Sequence, residues 1–269
     1  MQIGSKAAPV TEIAASNAET IVVRGYDLCN DLIGRISFTD HIWLLVVGKM
    51  PTEPQRRVLD STLVAIAEHG LVPSVAAARM TLAAGPDALQ GAVAAGILGC
   101  GSVILGSSEV AGRFFHEIVE AVDGGAALKD AIGETVAKRR AEKKAIPGYG
   151  HPVHGDFDPR AHRLMEIGKE TGVAGRYMEI AVEVEKLLPE LINRPLKMNV
   201  SGAIPAVLLD AGYPLLALKG APILARTASL IGHLLEEQTR PIGFALADTG
   251  AASVTYTGPK PDGVGEIKP

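Results

Sequence analysis

The sequence is poor in cysteine, in aromatic residues and in excess charge of either sign. Its 269 residues hold two cysteines, Cys29 and Cys100. Two cysteines this far apart give neither a disulfide framework nor a metal-ligand spacing, and they suit a reducing, cytoplasmic compartment. Aromatic residues make up 4% while alanine, leucine and glycine abound, which favours closely packed helices over a β-sandwich. The formal net charge is −4, from 26 basic and 30 acidic side chains, so the sequence-wide basic excess expected of a nucleic-acid partner is missing. The opening stretch MQIGSKAAPVTEIAAS has no compact apolar block of the kind a secretory signal needs. There is no His-Glu-x-x-His pattern and no Cys/His cluster, which points away from metal catalysis. A Gly-x-Ser-x-Gly elbow and a Walker-type phosphate loop are also missing.

What is there is an ordinary globular composition, 47% apolar and 21% charged, long enough for one or two domains around a sizeable core. The first twenty residues read as a loose arm, and Ile21–Asp27 as a short strand or extended turn. Ser37 caps a helix running to Val47 with Gly48 at its end. Thr52 and Gln55 form a capping box for a helix that presents Leu59, Leu63 and Ile66 on one face and stops by Gly70. Another helix starts at Pro73. Residues 88–108 carry no charge and are long enough for a bilayer span, but five glycines, three serines and a glutamine fit a buried helix of a soluble core better. Residues 109–142 read as helical and end in Lys138-Arg139-Arg140 and Lys143-Lys144. A break follows at 146–152. Helices then begin at Asp158-Pro159-Arg160, cover 177–188, and recur at 203–211 and 222–238 around a second polar break at 198–202. The Gly-, Pro- and Thr-rich tail, 241–269, reads as extended. Nearly every periodic signal is helical, so the chain is expected to be all-α.

Histidine is the usual proton carrier near neutral pH, and there are seven. His41, His116, His162 and His233 lie within helical patterns and read as structural. His69, between Glu68 and Gly70 at a helix end, reads by itself as a helix-terminal histidine favoured by the dipole. His151 differs, because it follows Pro147-Gly148-Tyr149-Gly150, a turn-forming segment that lets another group approach its backbone. His154, three residues on, can share that site. The basic run 138–144 reads either as a solvated helix face or as a landing place for phosphates. Arg160 can present its fork to a substrate carboxylate, or pair with Asp156 or Asp158.

These residues resemble a known family. Pro147-Gly148-Tyr149-Gly150-His151 followed by Asp158-Pro159-Arg160 is similar to the signature of citrate synthases and of the citryl-CoA lyase module of ATP-citrate lyase. The order of further segments agrees along nearly the whole chain: Arg24-Gly25-Tyr26, Ser37-Phe38, Pro51-Thr52, Glu68-His69-Gly70 with Ser74, Asn199-Val200-Ser201-Gly202 in place of Asn-Val-Asp, and Val254-Thr255-Tyr256-Thr257-Gly258. The chain is shorter than a full synthase.

The resemblance implies a large helical domain (1–104 plus 221–269) and a small one (105–220) carrying the 147–160 loop. It also implies a homodimer or higher assembly with the active site in the interdomain cleft. It implies a CoA thioester and a 2-oxo or hydroxy acid as ligands, with no cofactor beyond the coenzyme A of the substrate, no metal and no membrane. His151 would polarise the 2-oxo group or take the tertiary hydroxyl proton. His69 would hold a substrate oxygen, and Arg160, with His154 and Asn199, the acid. Pro147, Gly148, Tyr149 and Gly150, with Lys143 and Lys144, would follow the CoA. Three departures stand out. Val103 occupies the place of the synthase histidine that stabilises the enolate, as in lyase modules. Ser201 replaces the family's aspartate, and a serine hydroxyl is a poor base. The carboxylate-binding arginines are missing around 251–256, with Arg240 the candidate substitute. The expectation is a citryl-CoA lyase-like enzyme, cleaving a 3-hydroxy-acyl-CoA to a 2-oxo acid and acetyl-CoA or running the reverse condensation. The alternatives are decarboxylative condensation of a malonyl-type thioester and a non-catalytic CoA-ester-binding homologue.

Overall fold

The computed structural model describes residues 9–150 and 157–265. His151, His154 and Asp156 therefore lie outside the described residues.

Among the described residues the chain is helical apart from a small antiparallel sheet, β1 (Ala14–Ser16), β2 (Ile21–Val23) and β3 (Tyr26–Asp27), in that order. The arm thus contributes a strand the composition did not announce, paired through Ala15 with Val22. Eleven α-helices follow among the described residues: α1 (Phe38–Val47), α2 (Glu53–Ala67), α3 (Pro73–Ala84), α4 (Leu89–Leu98), α5 (Ser107–Asp123), α6 (Leu128–Ala141), α7 (Pro159–Glu170), α8 (Arg176–Ile192), α9 (Val200–Asp210), α10 (Gly220–Thr239) and α11 (Gly243–Ala252).

The local signals act as expected at the first two helices. Ser37 with Asp40, and Thr52 with Gln55, close reciprocal capping boxes. Three expectations are corrected. The uncharged segment is not one helix: it breaks after Leu98, and the turn of 99–106 is closed by the Gly106 N–H donating to the Gly101 carbonyl at 3.0 Å. Residues 109–142 are two helices, parted by Gly124-Gly125 with Gly125 at φ +101°. The tail is not wholly extended, because α11 forms within it. Its cap comes from the preceding helix: the buried Glu237 carboxylate accepts the Gly243 N–H at 2.8 Å and the Ile242 N–H at 3.0 Å. Arg79 of α3 donates to the same carboxylate at 2.7 Å and to the Arg240 carbonyl at 3.0 Å.

The main core joins Trp43, Leu59, Phe114, Phe115, Ile132, Leu188, Ile204 and Leu208, all fully buried or nearly so. A second cluster, Val75, Ala78, Leu82, Ala92, Leu230 and Leu234, packs α3, α4 and α10 together. The stretch 215–239 is the one helical stretch among the described residues that is long and apolar enough to cross a membrane. It carries the buried ions Arg226 and Glu237 and packs on α2, α3 and α4.

Candidate active site

The glycine loop is seated on the start of α9. Gly148 (φ +87°) and Gly150 (φ +79°) take backbone conformations that side chains resist. The Asn199 N–H donates to the Gly148 carbonyl at 2.9 Å, and the Gly150 N–H to the Lys197 carbonyl at 2.7 Å. Asn199 also caps α9, its Oδ1 accepting the Ser201 N–H at 2.9 Å while its Nδ2 donates to the Gly150 carbonyl. Contact is backbone to backbone: a Cβ on Gly202 would stand 2.6 Å from the Gly148 oxygen. Tyr149 anchors the loop from inside, its buried hydroxyl donating to the Ala181 carbonyl at 2.7 Å. Burial holds the Tyr149 phenol well above its ordinary pKa. Its side chain therefore belongs to the core, and among residues 147–150 the backbone and Pro147 remain for a ligand.

Asp158 ties the far side of the loop to the same helix. Its carboxylate accepts the Val200 N–H at 2.9 Å and the Arg160 Nε and Nη2 at 3.1 and 3.0 Å. Burial by itself would raise the Asp158 pKa, but Arg160 and the Val200 N–H more than offset that and hold it below the usual carboxylate value. Arg160 is thus paired with Asp158, one of the two partners the sequence allowed. Among the described residues its second Nη has no hydrogen-bond partner. Ser201 lies at the head of α9, its Oγ 2.8 Å from the Ser107 Oγ at the head of α5. Asn199 and Ser201 are thus brought together with the loop.

His69 follows the end of α2 and is exposed, and its backbone N–H donates to the Glu68 carboxylate at 2.9 Å. Glu68 also accepts from the His233 Nε2 at 2.9 Å and from the Ser229 hydroxyl at 2.5 Å, both on α10. Desolvation pushes its pKa up, but Ser229, the Gly70 N–H and His233 together hold it below the ordinary value. Glu68, Ser229 and His233 line a groove of about 810 Å³ that also takes in Glu236 and Arg240. Lys143 (φ +55°) and Lys144 are exposed, with Lys144 paired to Glu142 at 2.7 Å. Val103 is 83% exposed in the turn before α5.

The sequence reading passed over Arg226. Its side chain is 3% exposed, and among the described residues its Nε and Nη1 have no hydrogen-bond partner, while Nη2 reaches the Ile66 carbonyl at 3.5 Å. Burial lowers its pKa, partly countered by Glu68 and Cys100. A buried guanidinium with two unused donors is costly unless an acceptor arrives, and a carboxylate matches its fork. The signal was in the sequence: Arg226, Ser229, His233, Glu236 and Arg240 recur at helical spacing along α10.

Residues 52–243 match the family profile described as citrate synthase, C-terminal domain. A putative citrate synthase 2 of Mycobacterium tuberculosis is 31% identical over 220 residues, covering 78% of this chain and 54% of that protein. The chain spans about half the length of the curated relatives it matches. Among solved structures, a citryl-CoA lyase from Hydrogenobacter thermophilus superposes with a TM-score of 0.83 at 35% identity, covering 95% of this chain and 97% of that one. An ATP citrate lyase from Methanosaeta concilii, in complex with (3S)-citryl-CoA, shares the fold with a TM-score of 0.75 at 22% identity, covering 96% and 43%. With its glycine loop, its Asn-Val-Ser-Gly helix start and a profile match over most of its length, the chain belongs to the citrate synthase family.

Proposed function

We propose that the chain is a citryl-CoA lyase-like enzyme, cleaving a citryl-CoA-type 3-hydroxy-acyl-CoA to an oxaloacetate-type 2-oxo acid and acetyl-CoA, or running the reverse condensation. One observation carries the reading. The glycine loop is locked to the start of α9 in a fold that matches a citryl-CoA lyase at 35% identity. In this reading His151, next after the locked loop, takes the tertiary hydroxyl proton. The carbon–carbon bond then breaks, its electron pair passing to the thioester enolate. Arg226, whose Nε and Nη1 have no partner among the described residues, and His69 hold carboxylate or carbonyl oxygens of the acid, and Arg160 contributes a further guanidinium. Lys143, Lys144 and the loop backbone follow the CoA. Ser201 stands beside the α-carbon.

A homodimer in the cytoplasm belongs to the same proposal. The exposed Leu98, Val103, Ile231 and Leu235 support association, since large apolar side chains in water favour a covering partner. The two free cysteines support a reducing compartment.

The test is release of acetyl-CoA from citryl-CoA by the purified chain, compared with His151→Ala. Loss of about 10²–10⁴-fold in kcat is expected for a positioned base. Ser201 favours one second reading, in which the enolate arises by decarboxylation and needs no α-proton base. Turnover of malonyl-CoA with oxaloacetate, but not of citryl-CoA, would select it.

A further inference from the structure

Cleavage leaves an enolate whose carbon must gain a proton, and Ser201 offers only a hydroxyl. Protonating a thioester enolate needs an acid, and an alcohol suffices thermodynamically because it is far more acidic than the α-carbon. The difficulty is the alkoxide left behind, which must be stabilised and reprotonated at once.

The structure supplies a second hydroxyl at that point. Ser107 Oγ lies 2.8 Å from Ser201 Oγ, and both groups are half-buried. Ser107 is the first residue of α5 and Ser201 the second of α9, so both helices turn their positive ends toward the pair and favour negative charge there. The backbone before Ser107 has no slack: a Cβ on Gly106 would stand 2.5 Å from the Gly101 carbonyl. Ser201 is fixed on its side by the Asn199 cap. The neighbouring carboxylate, Asp158, is already committed to Arg160 and the Val200 N–H.

Resting on the lyase reading, we infer that Ser107 is a positioning residue that serves Ser201 as a proton relay. The enolate carbon takes the proton of Ser201 Oγ as its new C–H bond forms. Ser201 Oγ recovers a proton from Ser107 Oγ, and Ser107 from solvent water. The proton drawn from the substrate hydroxyl returns to solvent, so charge and protons balance. Condensation runs the same path backwards. Two hydroxyls thus replace one carboxylate, and no group in the relay has to be ionised in the resting enzyme.

The experiment is single-turnover cleavage of citryl-CoA by the full chain, the variants S107A, S107T, S201A and S107A/S201A, and mixtures of light and heavy water. The unaltered chain should give a curved dependence on deuterium fraction, because two protons move together, and S107A a linear one. S107A should lose about tenfold or more in rate with KM held within about twofold, S107T should recover most of the loss, and the double variant should be no slower than S201A, as for residues acting as a unit. Melting curves confirm that each variant is folded; a misfolded S107A leaves the comparison to S107T and the curvature of the unaltered chain. A linear dependence in the unaltered chain, unchanged turnover in folded S107A, or additive losses overturn the relay alone. Failure of the unaltered chain to cleave citryl-CoA overturns the lyase reading and the relay with it.

Discussion

Gly202→Ala is the sharpest test of how the site is held. The added Cβ would meet the Gly148 oxygen at 2.6 Å, the Gly148 Cα at 3.1 Å and the Met198 Cγ at 3.1 Å. Ordinary contact at a Cβ begins at 3.4 Å, so the loop must lift by roughly 0.8 Å, in a place packed like a crystal. Overpacking of this kind costs about 1–3 kcal/mol. In a chain of this size 1 kcal/mol moves the Tm by about 2–4 °C, so a fall of roughly 2–12 °C is expected. Lifting the loop also stretches the bond from the Asn199 N–H to the Gly148 carbonyl, now 2.9 Å, so cleavage of citryl-CoA should fall more than stability does. Gly250→Ala is the control: it lies within the exposed α11, no atom stands within 4 Å of its Cβ, and it should gain about 0.4–1 kcal/mol. Calorimetric melting and turnover of both variants decide the matter. A Gly202→Ala protein with unaltered melting and full activity would refute the packing argument.

Four further outcomes are expected. Arg226→Met should leave Tm level or higher, since it removes a buried cation with two unused donors, yet weaken oxaloacetate binding by about 10²-fold in calorimetry. Arg79→Ala strands the buried Glu237 carboxylate and should cost about 3–5 kcal/mol, with hydrogen exchange fastest in α11. Asp158 has a folded-state pKa below its unfolded value, so its contribution is complete above about pH 4 and is lost as pH falls through the depressed value; Asp158→Asn should lower Tm at pH 7 and flatten the acid limb of the pH–stability curve below about pH 4. Sedimentation at micromolar concentration should show a dimer, with Leu235→Glu shifting it toward monomer; a compact monomer of the unaltered chain counts against association.

The sequence was most legible where causes are local. Ser37 with Asp40 and Thr52 with Gln55 lie three residues apart, and both boxes close. The glycine loop was visible for the same reason, because it needs only a few adjacent residue types; the Asn199 cap was not, since 198–202 reads as a polar break and α9 begins inside it at Val200. Composition misled where glycine does two jobs. In 88–108 glycine reads as part of a buried helix, whereas the helix stops after Leu98 and Gly106, packed against Gly101, closes the turn that leads into α5. In the tail, Gly and Thr suggested extended chain, and the cap that makes α11 possible is Glu237, a residue of the preceding helix. The remaining features were out of reach because their partners are remote. Ser107 and Ser201 are 94 residues apart and Arg79 and Glu237 are 158, and neither separation leaves a periodic trace.

The attachment of α11 has a consequence for how this end of the molecule opens. Of its ten residues only Gly243 is buried, so beside its packing on α3 its hold on the body rests on a single buried ion pair and the N–H groups gathered by one carboxylate. Apolar contacts loosen by degrees, but a carboxylate that binds a guanidinium and two amides does so in one geometry or leaves charges in a dry place. The helix should therefore dock like a latch, fully engaged or wholly released, below the free energy of global unfolding. Because Arg79 also grips the Arg240 carbonyl, releasing that latch loosens the stretch that carries Arg240 to the rim of the Glu68 groove.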